Sequence, residues 1–150
     1  MNEPSRQVLL DIRKLSVTFA GGGRRIEAVR GLDLTVHRAS VHGLVGESGS
    51  GKSVTSRAII GLLPSDRTEI RAEAVDFDGQ DLLALGEREL QRIRGGRISM
   101  IFQEPGKHLN PAFRIGRQIT EMIGVHRDVS RRAARERTLE LLSLVGLGDD

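Results

Sequence analysis

Residues 46–53 read Gly-Glu-Ser-Gly-Ser-Gly-Lys-Ser, the spacing G-x-x-x-x-G-K-[ST] of a phosphate-binding loop. Each residue type has a physical task. Glycines let the backbone curl until successive N–H groups point inward at phosphate oxygens. A helix opening directly after such a loop adds its free N-terminal N–H groups and the positive end of its dipole. Lys52 supplies a mobile positive charge for β- and γ-phosphates, and the Ser53 hydroxyl is placed to ligate Mg²⁺. The candidate triphosphate-binding set is therefore Gly46, Glu47, Ser48, Gly49, Ser50, Gly51, Lys52, Ser53 and Val54.

Such a loop works only between a strand and a helix. Residues 41–45 (VHGLV) are read as the short apolar strand and residues 52–63 as an apolar helix stopped by Pro64. Upstream, Val8, Leu10 and Ile12 alternate on one face, then Leu15, Val17 and Phe19 on the other phase. That phase change predicts a bend or bulge inside one strand. Three glycines at 21–23 predict a turn, and residues 26–36 a second strand, giving an antiparallel hairpin. Downstream, residues 69–77 alternate weakly, and Asp78-Gly79 is a turn dipeptide. Residues 87–94 fit a helix ended by Gly95-Gly96, and residues 97–102 a compact apolar strand broken at Gln103-Glu104-Pro105-Gly106. Residues 115–124 read as a helix burying Ile115, Ile119, Met122 and Ile123. Ser130 is a candidate N-cap for a helix over 131–145 whose inner face is Ala134, Thr138, Leu141, Leu142 and Val145, with Gly146 as its stop.

The chain has 150 residues, the size of one ordinary domain, with 38% hydrophobic and 29% charged residues. No apolar run approaches the roughly 18 residues of a membrane span, and the N-terminus lacks a secretory apolar region. The cytoplasm is therefore the expected compartment. There is no cysteine, which excludes disulfides and thiolate metal sites. The histidines (His37, His42, His108, His126) show no metal-ligand spacing. Twenty arginines and three lysines against 20 acids give a net charge of +3, yet the arginines run from Arg6 to Arg137 interleaved with acids, and four phenylalanines are the only aromatics. That is not the clustered basic and aromatic pattern of a nucleic-acid surface.

Phe19, GESGSGKS at 46–53 and IFQEP at 101–105 occur in the order of an ATP-binding-cassette (ABC) nucleotide-binding domain. The runs VGESGSGKSVTSRAIIGLLP and IFQEPGKHLNP resemble the ATPases of oligopeptide, dipeptide and nickel importers. The resemblance implies an α/β fold of the ABC-type P-loop NTPases: an antiparallel β subdomain, an incomplete parallel core sheet and the start of the helical subdomain. It implies ATP and Mg²⁺ as ligands, with Phe19 stacking on adenine and Gln103 reaching Mg²⁺ and the attacking water. A neutral amide suits that second task, coordinating through oxygen while donating through nitrogen. Glu104 resembles an acidic position of the family that does not activate water. The partners implied are transmembrane permease subunits and a second ATP-binding subunit, at the inner face of the cell membrane. The segment Gly106-Lys107-His108 departs from the Met-Thr-Ser-like run usual in peptide importers, which bears on partner and cargo.

The family's Leu-Ser-Gly-Gly-Gln-like signature, its apolar strand ending in Asp followed by a water-positioning Glu, and its later switch histidine have no counterpart after Gln103. The expectation is the N-terminal portion of a single ABC ATP-binding domain, residues 1–150, that binds ATP without hydrolysing it and has no catalytic residue of its own. Phosphoryl transfer needs water oriented and charge stabilised as well as a triphosphate cradled. A soluble ABC-type ATPase acting on nucleic acid or ribosomes, and a non-enzymatic remnant, are the alternatives.

Overall fold

The strand β1 (Val8–Gly21) is the axis of the first half of the chain. It pairs on one side with β2 (Arg24–His37) and on the other with β3 (Thr68–Arg71) and β4 (Ala74–Phe77); β5 (Gln80–Asp81) pairs with β4. Every ladder is antiparallel. The computed structural model describes residues 7–147. These fall into two compact units that divide between Gln91 and Arg92.

The predicted bulge is present. Between the pairs Ile12↔Leu34 and Leu15↔Leu32, β1 advances one residue more than β2. Lys14 absorbs the extra residue at φ 54°, a left-handed conformation that needs local support in a residue with a Cβ. Asp33 provides it, accepting from the Lys14 backbone N–H at 2.8 Å and from Lys14 Nζ at 2.6 Å. The bulge returns Leu15 and Val17 to the face of Ile12, and all three are fully buried. Val29, Val75, Phe77, Leu82, Ala58 and Ile60 complete this core. Two hairpins close through residue pairs at positive φ, Gly22-Gly23 and Asp78-Gly79, the backbone that a two-residue turn between twisted strands requires.

The helix α1 (Lys52–Ile59) ends earlier than Pro64 predicts. Gly61 takes φ 62°, its N–H reaches the Ala58 carbonyl at 3.1 Å and the Leu62 N–H reaches that of Arg57 at 2.8 Å. This paired closure of the last carbonyls stops the helix before proline is reached.

Two predicted strands do not form. Residues 41–45 have no ladder partner among the described residues, and Val41 and Val45 are 102% and 91% exposed. Residues 97–102 make a single bridge, Arg94↔Ile98, and Ile101 is exposed. An apolar run becomes a strand only when a neighbour takes up its backbone N–H and C=O groups. No such neighbour occurs among the described residues, so the expected parallel core sheet is not seen there.

The helix α2 (Glu87–Ile93) starts at Gly86, whose N–H is taken by the Glu89 carboxylate at 3.0 Å. Beyond it, α3 (Ile115–His126) and α4 (Arg131–Leu144) form an antiparallel hairpin. Small residues let them approach: Gly116 faces Thr138 and Leu142, and the Thr120 and Thr138 hydroxyls share a 2.9 Å hydrogen bond. Ile115 and Met122, predicted as buried, are exposed; Ile119 and Ile123 are half-buried. Ala134 and Thr138 are buried as predicted, whereas Val145 is exposed. Ser130 caps α4, its hydroxyl accepting from the Ala133 N–H at 3.2 Å. Gly146 and Leu147 close the other end on the Ser143 and Leu142 carbonyls. Among the described residues no helix is long and apolar enough to cross a membrane.

Candidate phosphate-binding site

The loop over residues 46–51 is fastened to the first unit through Gly51. Gly51 is buried at φ 91°, and a Cβ there would run into the Ala28 carbonyl oxygen of β2. Only glycine meets both demands. From the helix side, Thr55 takes the Gly51 carbonyl twice, by its backbone N–H at 2.8 Å and its hydroxyl at 3.0 Å. Thr55 is 3% exposed and went unnoticed in the sequence, although a hydroxyl one turn into a loop-borne helix was the available signal.

Lys52 folds back over the loop. Its Nζ donates to the Gly46 carbonyl at 2.8 Å, the Glu47 carbonyl at 2.7 Å and the Ser50 hydroxyl at 3.3 Å. The ammonium thus sits at the concave side of the loop, and the Ser50 N–H closes a turn onto Glu47 O at 3.2 Å. The N-terminus of α1 has no side-chain cap and no acidic residue in its first turn. The N–H groups of Lys52, Ser53 and Val54 precede the first helical bond, Thr55 to Gly51, and so have no partner within the helix. Neighbouring hydroxyls are occupied: Thr55 bonds Gly51 O and Ser56 bonds Lys52 O. Ser53 stands exposed at the mouth of this N-terminus.

A cavity of about 420 Å³ opens beside the loop, bounded by Gly46, Gly49, Ser50 and Lys52 on one side and by Ala28 and Val29 on the other. The donor set fits a polyphosphate: bare backbone N–H groups, a helix dipole, one ammonium and no carboxylate in the helix's first turn. The Ser53 hydroxyl is a hard oxygen donor of the kind that Mg²⁺ prefers.

The structure brings residues 46–54 together. Phe19 lies in the same unit, half-buried on β1 between Ile26 of β2 and Thr68 of β3, and does not line the cavity. Gln103 belongs to the second unit, on an exposed bend. That bend is held at both sides: the Phe102 ring stacks on His108 at 4.0 Å between centroids, and Lys107 pairs with Glu104 across the 3-10 turn Pro105–His108. Among the described residues no group of three or more His, Cys, Asp or Glu is arranged to hold a metal ion by itself.

The sequence pattern of the ABC transporter family matches residues 29–150. The chain belongs to that family. Membership implies a P-loop NTPase fold. Among curated ABC relatives, the oligopeptide transport ATP-binding protein OppD of Bacillus subtilis is 42% identical over 139 residues, 93% of this chain and 39% of the relative. The dipeptide transport ATP-binding protein DppD of the same organism is 41% identical, over 94% of this chain and 42% of the relative. The peptidoglycan transport ATP-binding protein YejF of Agrobacterium fabrum is 46% identical, over 98% of this chain and 27% of the relative. The chain spans less than half the length of each.

Proposed function

We propose that this chain is the ATP-binding front portion of an ABC importer's ATP-binding subunit. In the assembled transporter it would couple ATP binding and hydrolysis to uptake of peptides or a related solute. The observation that carries this reading is the Lys52 ammonium resting on the Gly46 and Glu47 carbonyls at the uncapped start of α1. The names of the relatives, which describe oligopeptide and dipeptide transport, support the importer assignment.

In this reading Lys52 swings from its two carbonyls onto the β- and γ-phosphate oxygens. Backbone N–H groups within residues 46–54 would meet the remaining oxygens, and the Ser53 hydroxyl would offer Mg²⁺ a hard oxygen ligand; Gln103 is a candidate Mg²⁺ ligand on the family resemblance alone. Phe19 supplies a face for adenine, worth ~1–3 kcal/mol by analogy with base stacking. Residues 1–150 form the N-terminal portion of a single ATP-binding domain, with the antiparallel subdomain and the start of the helical subdomain. The chain lacks a signature-like run and an Asp-Glu strand, so by itself it binds ATP without hydrolysing it. Permease subunits and a second ATP-binding subunit are its partners at the inner face of the membrane.

Titration calorimetry with Mg-ATP tests this. Saturable heat is expected from the folded chain, and Lys52→Ala should abolish it. Absence of heat from a folded chain, or unchanged affinity in the variant, would overturn the assignment.

A further inference from the structure

Five of the twenty arginines gather on the α3/α4 hairpin. A groove of about 1000 Å³ runs along it, and Arg114, Arg117, Arg131, Arg132 and Arg135 line it with a single acid, Glu121. Helix order sets their layout. Gly116 lies opposite Leu142 and Thr120 opposite Thr138, so Arg114 and Arg117 stand at one end of the groove and Arg131, Arg132 and Arg135 at the other. By this register Arg114 and Arg132 are about 18 Å apart along the helix axes, and Arg117 and Arg135 about 9 Å, at 1.5 Å per residue.

Helix electrostatics do not account for this placement. Cations belong near helix C-termini, yet α4 begins Arg131-Arg132 with no acid in its first turn, and α3 likewise has none. Of the five, Arg132 is paired with Glu136 at 2.9 Å and Arg117 lies over the Phe113 ring at 4.6 Å. Arg114, Arg131 and Arg135 have no ion pair among the described residues. Five guanidinium groups along a concave surface, with one carboxylate in its lining and one more paired to Arg132, outnumber the acids beside them and suit carboxylates brought from outside.

We propose that this groove docks an acidic segment of a partner protein, with carboxylates at both ends of a stretch about 18 Å long. An extended segment of about six residues has that reach at 3.3 Å per residue. Concavity favours a chain over a flat lipid surface. Nucleic acid is disfavoured because the nearby aromatic ring, Phe113, is already covered by Arg117.

The test measures fluorescence anisotropy of a fluorescein-labelled hexaglutamate peptide at 0.15 M salt. Arg117→Glu with Arg135→Glu should weaken binding at least tenfold, and the Arg117→Ala, Arg135→Ala pair at least threefold. The same charge change at two arginines of the first unit, Arg24→Glu with Arg67→Glu, should cost less than twofold. Far-UV circular dichroism verifies that each variant is folded. Equal losses in the groove and control pairs would reduce the effect to net charge and overturn the proposal. So would tighter, groove-dependent binding to a single-stranded oligothymidine or to phosphatidylglycerol vesicles. Mg-ATP binding concerns the other unit, so its failure or success leaves this result separate.

Discussion

Two single residues show how side chains decide local geometry. Gly51 is required because its left-handed backbone and its packing on the Ala28 carbonyl leave no room for a Cβ. Lys14 adopts a similarly uncommon backbone while carrying a long side chain, and Asp33 compensates with two hydrogen bonds. The pair is exposed, and its electrostatics are readable. The hydrogen bond from Lys14 holds the Asp33 carboxyl below its ordinary pKa, and that bond, with the attraction to Asp33, raises Lys14 above its own. Stability from Asp33 is therefore present above the ordinary carboxylate pKa and lost as pH falls through the depressed value. Stability from Lys14 is present below the ordinary lysine pKa and lost as pH rises through the raised one. NMR titration should find the Asp33 midpoint below that of an unperturbed aspartate, and Lys14→Met should bring it part of the way back, since the bond from the residue-14 backbone N–H remains. An ordinary midpoint with Lys14 in place would mean the bulge is not clamped this way.

At the scale of elements, the helix boundaries are the sharpest test of capping. Ser130 satisfies the Ala133 N–H, and Ser130→Ala should cost ~0.5–2 kcal/mol, read as a lower denaturation midpoint for the α3/α4 signal, with little change in the sheet. What the sequence disclosed follows the same logic. The bulge between Ile12 and Leu15, the Asp78-Gly79 hairpin, the Ser130 cap and the Gly146 stop were all legible, because each is decided by neighbours in the chain. The strands expected at 41–45 and 97–102 were not, because a strand is decided by a partner, and hydrophobicity alone does not name one. The inner face of α3 was misjudged for a related reason. Close approach to α4 uses Gly116 and Thr120, which a search for large apolar residues passes over. Within the site, the loop chemistry was legible from spacing, whereas the anchoring role of Thr55 depends on how Gly51 packs against β2.

At the scale of the whole molecule, the two units differ in how much they bury. The first has fully covered Ile12, Leu15, Val17 and Val75 under a five-stranded sheet, while the buried side chains of the second are few: Ile93, Ala134 and Thr138. Local opening free energy follows buried apolar contact, so the two units should not unfold as one. Hydrogen exchange should be slowest in β1 and its partners and much faster in α3 and α4; uniform protection would show a single cooperative unit. The arginine-lined hairpin then has a practical consequence. The segment that opens most readily is also rich in trypsin cleavage sites, with seven arginines from Arg114 to Arg137. Brief digestion should therefore strip the helical hairpin and leave the sheet with its phosphate loop as the resistant core, and a ligand seated between α3 and α4 would register as protection of those bonds.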